Sequence, residues 1–331
     1  MQISDPLLQQ VLRVGREPYE YFDEATVHGL LTERPLECYA FIKQELTNIA
    51  AGQAVLELPP KQVFSDPGSE SDFRVMPCVV RGAAGARKTV KLVGTNTRQQ
   101  TVPDQITVGK AFVLHPQENF VSHIFEACLL SSARTGICAA MALDLLARSR
   151  EKVTVVGAGR VGYYAAFYAA ALGDVCDITI ADANLPRAQQ TAALLSRQMP
   201  AVRFAAAQGS AAMSDADVVV IATTSTVPIC SPHGLRANLV VSLGADTDYQ
   251  RELDPAWAAL ADIFVDTQDC ARFGDLRAWQ ATGLIGSENL VDLFDLLREG
   301  APDTGRPRVF VSTGSALFDN LAIGYLLSRL D

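Results

Sequence analysis

Three glycines and one carboxylate carry the plainest chemistry in this chain. In VTVVGAGRVGYYAA (Val153 to Ala166), an apolar strand-like run leads into Gly157-x-Gly159-x-x-Gly162 and then into a helix-forming stretch. Glycines at this spacing allow a tight turn and close approach of a phosphate, and the following helix offers free N–H groups and the positive end of its dipole. A second apolar run, CDITIAD, follows and ends in Asp182, about where an acidic side chain grips ribose hydroxyls. Together these point to a bound dinucleotide. An unliganded strand–helix joint would carry the same glycines, and Asp182 would then cap a loop. A carboxylate at 182 repels a 2′-phosphate and so favours NAD over NADP, although Arg187 lies five residues on.

Other chemistries find less support. The seven cysteines are an odd number and form no CxxC pair, so neither a disulfide framework nor a zinc site is indicated. The four histidines show no ligand spacing; His123, in an alternating run, is read as structural, and no metal is expected. No G-x-S-x-G elbow accompanies the serines. A net charge of −9 gives no general field for nucleic acid or anionic lipid. The N-terminus lacks a basic, then apolar, signal segment, and no apolar segment is read as reaching the roughly 20 residues that cross a membrane. These features set a cytoplasmic location as the default.

The elements that must position the glycines and Asp182 fall into two groups. At 331 residues the chain suits two domains. From Val153 onward the runs VTVVG, CDITIAD, VRFAA, DVVVIATT, NLVVSLG and IFVDT alternate with helical stretches, which indicates an α/β, doubly wound parallel sheet of Rossmann type. Ligands on such sheets sit beyond the carboxyl ends of strands, which draws attention to Gly157, Asp182, Thr223, Asp246 and Asp266. Asp246 follows Gly244 directly after a core strand, whereas Asp266 is read as binding backbone. Residues 1–130 begin with a polar helical region and a loop, PPKQVFSDPGSESDF. The runs RVMPCVV, KTVKLVG, TVGKAFVL and NFVSHIFEA then suggest a mostly antiparallel sheet. Ser131 is read as the N-cap of a linking helix that runs to about Ala147, with Arg134 in its first turn. RVFVSTGSALFDNLAIGYLLSRL reads as strand, turn and helix after a polar linker.

DFRVMP (Asp72–Pro77), KLVG (Lys91–Gly94), SSARTG (Ser131–Gly136), GAGRVG, LGAD followed by REL (Leu243–Leu253), and STGSALFD (Ser312–Asp319) occur in the order of the ornithine cyclodeaminase/mu-crystallin family, which the chain resembles over nearly its whole length. The resemblance implies an α+β substrate and dimerisation domain, residues 1–130 and 306–331, completed by the C-terminal segment. Residues 131–305 would form the dinucleotide-binding domain. It further implies a homodimer and an NAD-dependent oxidoreductase acting at the C–N bond of an amino acid, an opine-like conjugate or a cyclic imine. An ornithine or lysine cyclodeaminase with an internal redox cycle, or a ligand-binding protein without catalysis, are the alternatives it leaves.

Matched position by position, the resemblance makes Asp246 and Lys91 catalytic. Lys91 would also meet substrate, with Lys61, Arg74 and Thr313. It assigns cofactor contacts to Thr107, Arg134, Gly157, Ala158, Gly159, Arg160, Val161, Gly162, Asp182, Thr223 and Leu243, and pairs Lys91 with Asp246. Lys61 stands where an arginine is usual, replacing a two-pronged fork with a point charge. Gln250 replaces a common lysine, and Arg160-Val161-Gly162 departs from the GxGxQ form of the loop. The Lys61 arrangement, KLVG and EACLLSSART resemble the branch that oxidises N-(2-amino-2-carboxyethyl)-glutamate and releases 2,3-diaminopropionate.

Overall fold

The computed structural model describes residues 5–13, 15, 17–65, 71–83, 85–96, 100–102 and 105–330. The first lobe opens with α1 (Pro6–Leu12), β1 (Glu20–Phe22), α2 (Glu24–Glu33) and α3 (Pro35–Ala50). It continues through β2 (Val55–Glu57), β3 (Gln62–Ser65), β4 (Asp72–Gly82), β5 (Gly85–Thr95), β6 (Thr107–Leu114) and β7 (Val121–Glu126). The sheet runs β1-β7-β6-β5-β4-β2, with β3 also paired to β4. It is antiparallel except where β1 joins β7.

This sheet's inner face determines the site. Successive side chains of a strand point to opposite faces, and on β4 and β5 the buried set comprises Arg74, Met76, Cys78, Val80, Thr89, Lys91 and Val93. Met76, Lys91 and Ala111 lie directly opposite one another across three strands. Leu92 faces outward and is 43% exposed, while Lys91 is 2% exposed, so the usual assignment of apolar residues inward is reversed here.

A 19-residue helix, α4 (Cys128–Leu146), leads to the second lobe. That lobe runs β8 (Lys152–Val156), α5 (Arg160–Ala171), β9 (Asp177–Asp182), α6 (Leu185–Gln198), β10 (Arg203–Gln208), β11 (Val218–Ile221) and β12 (Leu239–Ser242). It goes on through α7 (Trp257–Leu260), β13 (Asp262–Val265), α8 (Gly274–Ala281), β14 (Leu290–Asp292), α9 (Leu293–Glu299), β15 (Arg308–Val311) and α10 (Ala316–Leu330). All eight strands are parallel in the order β10-β9-β8-β11-β12-β15-β13-β14. The first five of these follow the start of the Rossmann order, 3-2-1-4-5, with the last strand of the chain, β15, in the sixth place, and the switch point falls between β8 and β11.

Four sequence expectations need correction. Helix α4 begins at Cys128, not after Ser131, and Arg134 lies in its second turn. Ser131 cannot cap it; instead Glu24 of α2 accepts the N–H groups of Cys128 and Leu129, each at 2.8 Å. The loop read at residues 59–73 contains β3, which pairs with β4 from Gln62 opposite Val75 to Ser65 opposite Asp72; residues 66–70 of that loop lie outside the described residues. The C-terminal strand belongs to the parallel sheet, inserted between β12 and β13, and α10 alone returns to pack on α2, α3, α4, β4 and β5. Finally, α4 is long and apolar enough to span a bilayer, contrary to the sequence reading, yet 78% of its apolar window is buried inside the fold.

Candidate active site

The glycine turn closes the first βα unit. Gly157 has φ 106°, a conformation side chains resist, and a Cβ there would lie 2.3 Å from the carbonyl oxygen of Ala222. Gly162 packs so closely that a Cβ would overlap Gly157 O at 1.8 Å. A Cβ on Gly159, by contrast, would meet nothing within 4 Å. The chain therefore leaves open space beside Gly159 at the N-terminus of the 12-residue helix α5, and this cradle fits a pyrophosphate. Asp182, at the end of β9, accepts the N–H of Ala158 and of Asn184, both at 2.8 Å. Each oxygen keeps further acceptor capacity.

A cavity of about 810 Å³ runs from this turn to the inner face of the first sheet. Of the residues singled out in the sequence, Lys61, Arg74, Lys91, Thr107, Arg134, Gly157, Gly159, Arg160, Val161, Asp182, Thr223, Leu243, Asp246 and Thr313 all line it. Ala158 and Gly162 do not; they shape the turn from behind. Asp266 is buried away from this cavity and binds Ser312 Oγ at 2.7 Å and the Thr267 N–H at 2.7 Å, which matches its structural reading. His123 stacks against Phe22 and Phe125, with ring centroids 6.3 Å from each, beside their own stack at 4.9 Å.

Lys91 and Asp246 share the cavity without pairing, which overturns the couple expected from the sequence. Lys91 Nζ donates to Ser131 Oγ at 2.9 Å and to Asp319 at 2.8 Å. Asp319, on α10, also forms an ion pair with Arg134 Nε at 3.0 Å. Asp246 instead accepts from Arg74 Nη1 at 2.5 Å, and Arg74 donates through Nε to Asp72 at 2.9 Å. Lys61 Nζ donates to the carbonyl of Thr313 at 2.6 Å and sits 3.9 Å from the centre of the Phe273 ring. Arg134 Nη1 is buried with no hydrogen-bond partner among the described residues.

Burial dominates the titration of the lysines. It pushes Lys91 down to about 7, against the pull of Asp319, and Lys61 down to about 8, against the pull of Asp246. For Asp246, burial favours the neutral acid, but the charges of Arg74 and Lys61 outweigh it and hold the carboxyl below its ordinary value. Four cationic side chains, Lys61, Arg74, Lys91 and Arg134, thus meet three carboxylates, Asp72, Asp246 and Asp319. With both lysines protonated, the wall carries one positive charge more than it neutralises, and an unpartnered guanidinium N–H. That arrangement suits one carboxylate of a small ligand.

Sequence reasoning missed Ser131, Asp319, Asp72 and Phe273. Asp319 had a signal: with Asn320 it interrupts an otherwise apolar helix, ALFDNLAIGYLL, and such residues are seldom buried unless paired.

The fold and cavity define a two-lobed α/β protein of Rossmann type, with a dinucleotide cradle facing a cationic wall. The profile of the ornithine cyclodeaminase/mu-crystallin family matches residues 25–325, and the chain belongs to that family. It is 28% identical to the L-lysine cyclodeaminase of Streptomyces rapamycinicus over 283 residues, 83% of this chain and 80% of that one. It is 27% identical to the iminosuccinate reductase of Paracoccus denitrificans over 245 residues, 71% of this chain and 73% of the other. The Δ1-pyrroline-2-carboxylate reductase of Thermococcus litoralis, solved with NADH and L-proline, superposes with a TM-score of 0.84 at 16% identity, covering 94% of this chain and 97% of that one.

Proposed function

We propose that the protein is an NAD-dependent oxidoreductase acting at the C–N bond of a small amino acid, opine-like conjugate or cyclic imine. The observation that carries this reading is the single-charge surplus of the cationic wall, in the same cavity as the open Gly159 cradle. Gly157, Gly159, Arg160, Asp182 and Thr223 would hold the dinucleotide, and its nicotinamide supplies the hydride acceptor or donor. Arg134 and Lys91 would grip the substrate carboxylate, with Lys61 in reserve on the Thr313 carbonyl. This assigns Arg134 to substrate, not to cofactor, because its guanidinium is tied to Lys91 through Asp319.

Oxidising an amine requires its neutral form and a base that takes a proton as the imine forms and meets water. Asp246, held ionised by Arg74, is suited to that base. Lys91, poised near neutrality by burial, can hold or release a proton within the same cavity. A second reading, a cyclodeaminase that returns its hydride, is favoured by the Streptomyces relative. An outer sheet face with exposed Phe64, Phe73 and Leu92 supports a homodimer.

The test is a screen of amino acids, opine-type conjugates including N-(2-amino-2-carboxyethyl)-glutamate, and cyclic imines, read by cofactor absorbance and product mass. Net change of NADH with a C–N product is expected, and NADH should outcompete NADPH through Asp182. Product formation without net change of cofactor would establish the cyclodeaminase instead. Cofactor binding without turnover on the whole panel would leave a ligand-binding protein.

A further inference from the structure

Glu252 has no exposed surface and lies behind the cavity. Its carboxylate nevertheless ties together both turns that carry the site. Oε1 accepts the Thr223 N–H at 2.7 Å and the Thr223 hydroxyl at 2.9 Å, beyond β11. Oε2 accepts the Ser242 hydroxyl at 2.6 Å, at the end of β12, and the Gly244 N–H at 3.0 Å, just beyond it. Four donors meet two oxygens, a demand that an ionised carboxylate satisfies and an amide cannot.

The surroundings are built to the same end. Asp275 Oδ2 accepts the N–H of Glu252 at 3.0 Å and of Leu253 at 3.3 Å. A Cβ on Gly244 would lie 2.0 Å from Thr223 O and 2.4 Å from Glu252 Oε1, so the two turns are in direct contact. Asp246 follows two residues later, its N–H directed to Gly244 O at 3.0 Å and Gln250 Oε1 at 3.2 Å. Burying a carboxylate is costly, and an apolar side chain would fill the space more cheaply.

We infer that Glu252 is a positioning residue that locks the Thr223 and Gly244 turns together and thereby shapes the nicotinamide end of the cavity, beside Asp246. The inference rests on the cofactor reading proposed above. Its reach is selective: the adenosine end around Asp182 is held through the N–H groups of Ala158 and Asn184, and the cradle touches the Ala222–Thr223 segment only at Gly157.

Glu252→Gln keeps the shape and turns an NH₂ toward two donors whichever way the amide lies. The experiment titrates the wild type and this variant with NADH and with ADP-ribose, which lacks the nicotinamide. The expected result is an ADP-ribose Kd within twofold of the wild type and an NADH Kd at least fivefold weaker. No change in either, or equal weakening of both, overturns the inference. Ser242→Ala, which removes one donor and adds no bulk, covers the case in which Glu252→Gln does not fold. It should weaken NADH two- to fivefold and spare ADP-ribose, and a change in NADH below twofold overturns the inference. If the wild type binds neither probe, the cofactor reading itself fails and takes the inference with it.

Discussion

Burial is the largest influence on Asp246, and its cationic neighbours, Arg74 first, together outweigh it. Its side chain is 35% exposed to the cavity, whereas Arg74, its partner at 2.5 Å, is 8% exposed and anchored by Asp72 behind it. A carboxylate beside a fixed guanidinium titrates low, commonly by 1–3 units. Removing the guanidinium leaves burial opposed only by the more distant charges of Lys61 and Arg134, and raises the pKa. Arg74→Gln should therefore move the acid limb of the kcat/KM profile upward by about 1–2 units, with activity lost at a higher pH than in the wild type. An unmoved limb would show that Arg74 does not set the ionisation of the working base. Asp246→Asn should lower kcat by at least about 100-fold while NADH affinity, measured by fluorescence titration, changes less than threefold. Equal losses in both would remove the catalytic role. Sequence named both residues but paired Asp246 with the wrong cation, because Arg74 and Asp246 are joined only by the docking of one lobe on the other.

At the level of elements, the strand–turn–helix around Gly157 was legible because a buried parallel strand is a continuous apolar run and glycine spacing carries its own geometry. Edge strands were not: β1, β2 and β14 have three residues each and β3 has four, too short for alternation to register. The start of α4 was misread for a related reason. Its cap comes from Glu24, 104 residues away along the chain, and a local N-cap motif cannot reveal that. This contact holds the N-terminus of α4 to α2, and α4 carries Ser131, Arg134 and Thr135 on one face toward the cavity. Glu24→Ala should cost about 1 kcal/mol of stability, typical for a lost cap, and lower Tm by about 2 °C in a chain of this size. Because the first turn of α4 would fray, substrate KM should rise as well. A Tm equal to that of the wild type would show that water replaces the carboxylate without loss.

For the whole molecule, the sequence revealed a mostly antiparallel sheet followed by a parallel one but misplaced the C-terminal strand. Parallel sheets pair strands that are distant in sequence, so nothing local says that β15 inserts between β12 and β13. That insertion brings Thr313 to the cavity and starts α10, whose Asp319 reaches Lys91. The lobes thus collect positive charge at one point of a chain whose net charge is −9, and a cleft of that kind concentrates anions locally. The surplus depends on pH. Burial lowers Lys91 to about 7 and Lys61 to about 8, so their ammonium forms prevail below those values and are lost as pH rises through them. A substrate carboxylate favours the ammonium forms. KM for an anionic substrate should therefore be lowest near pH 6 and rise between pH 7 and 9, by up to about tenfold per pH unit for each proton the complex requires. Steady-state KM across that range, at saturating cofactor, measures the effect. A flat KM would mean that the carboxylate rests on Arg134 without either lysine.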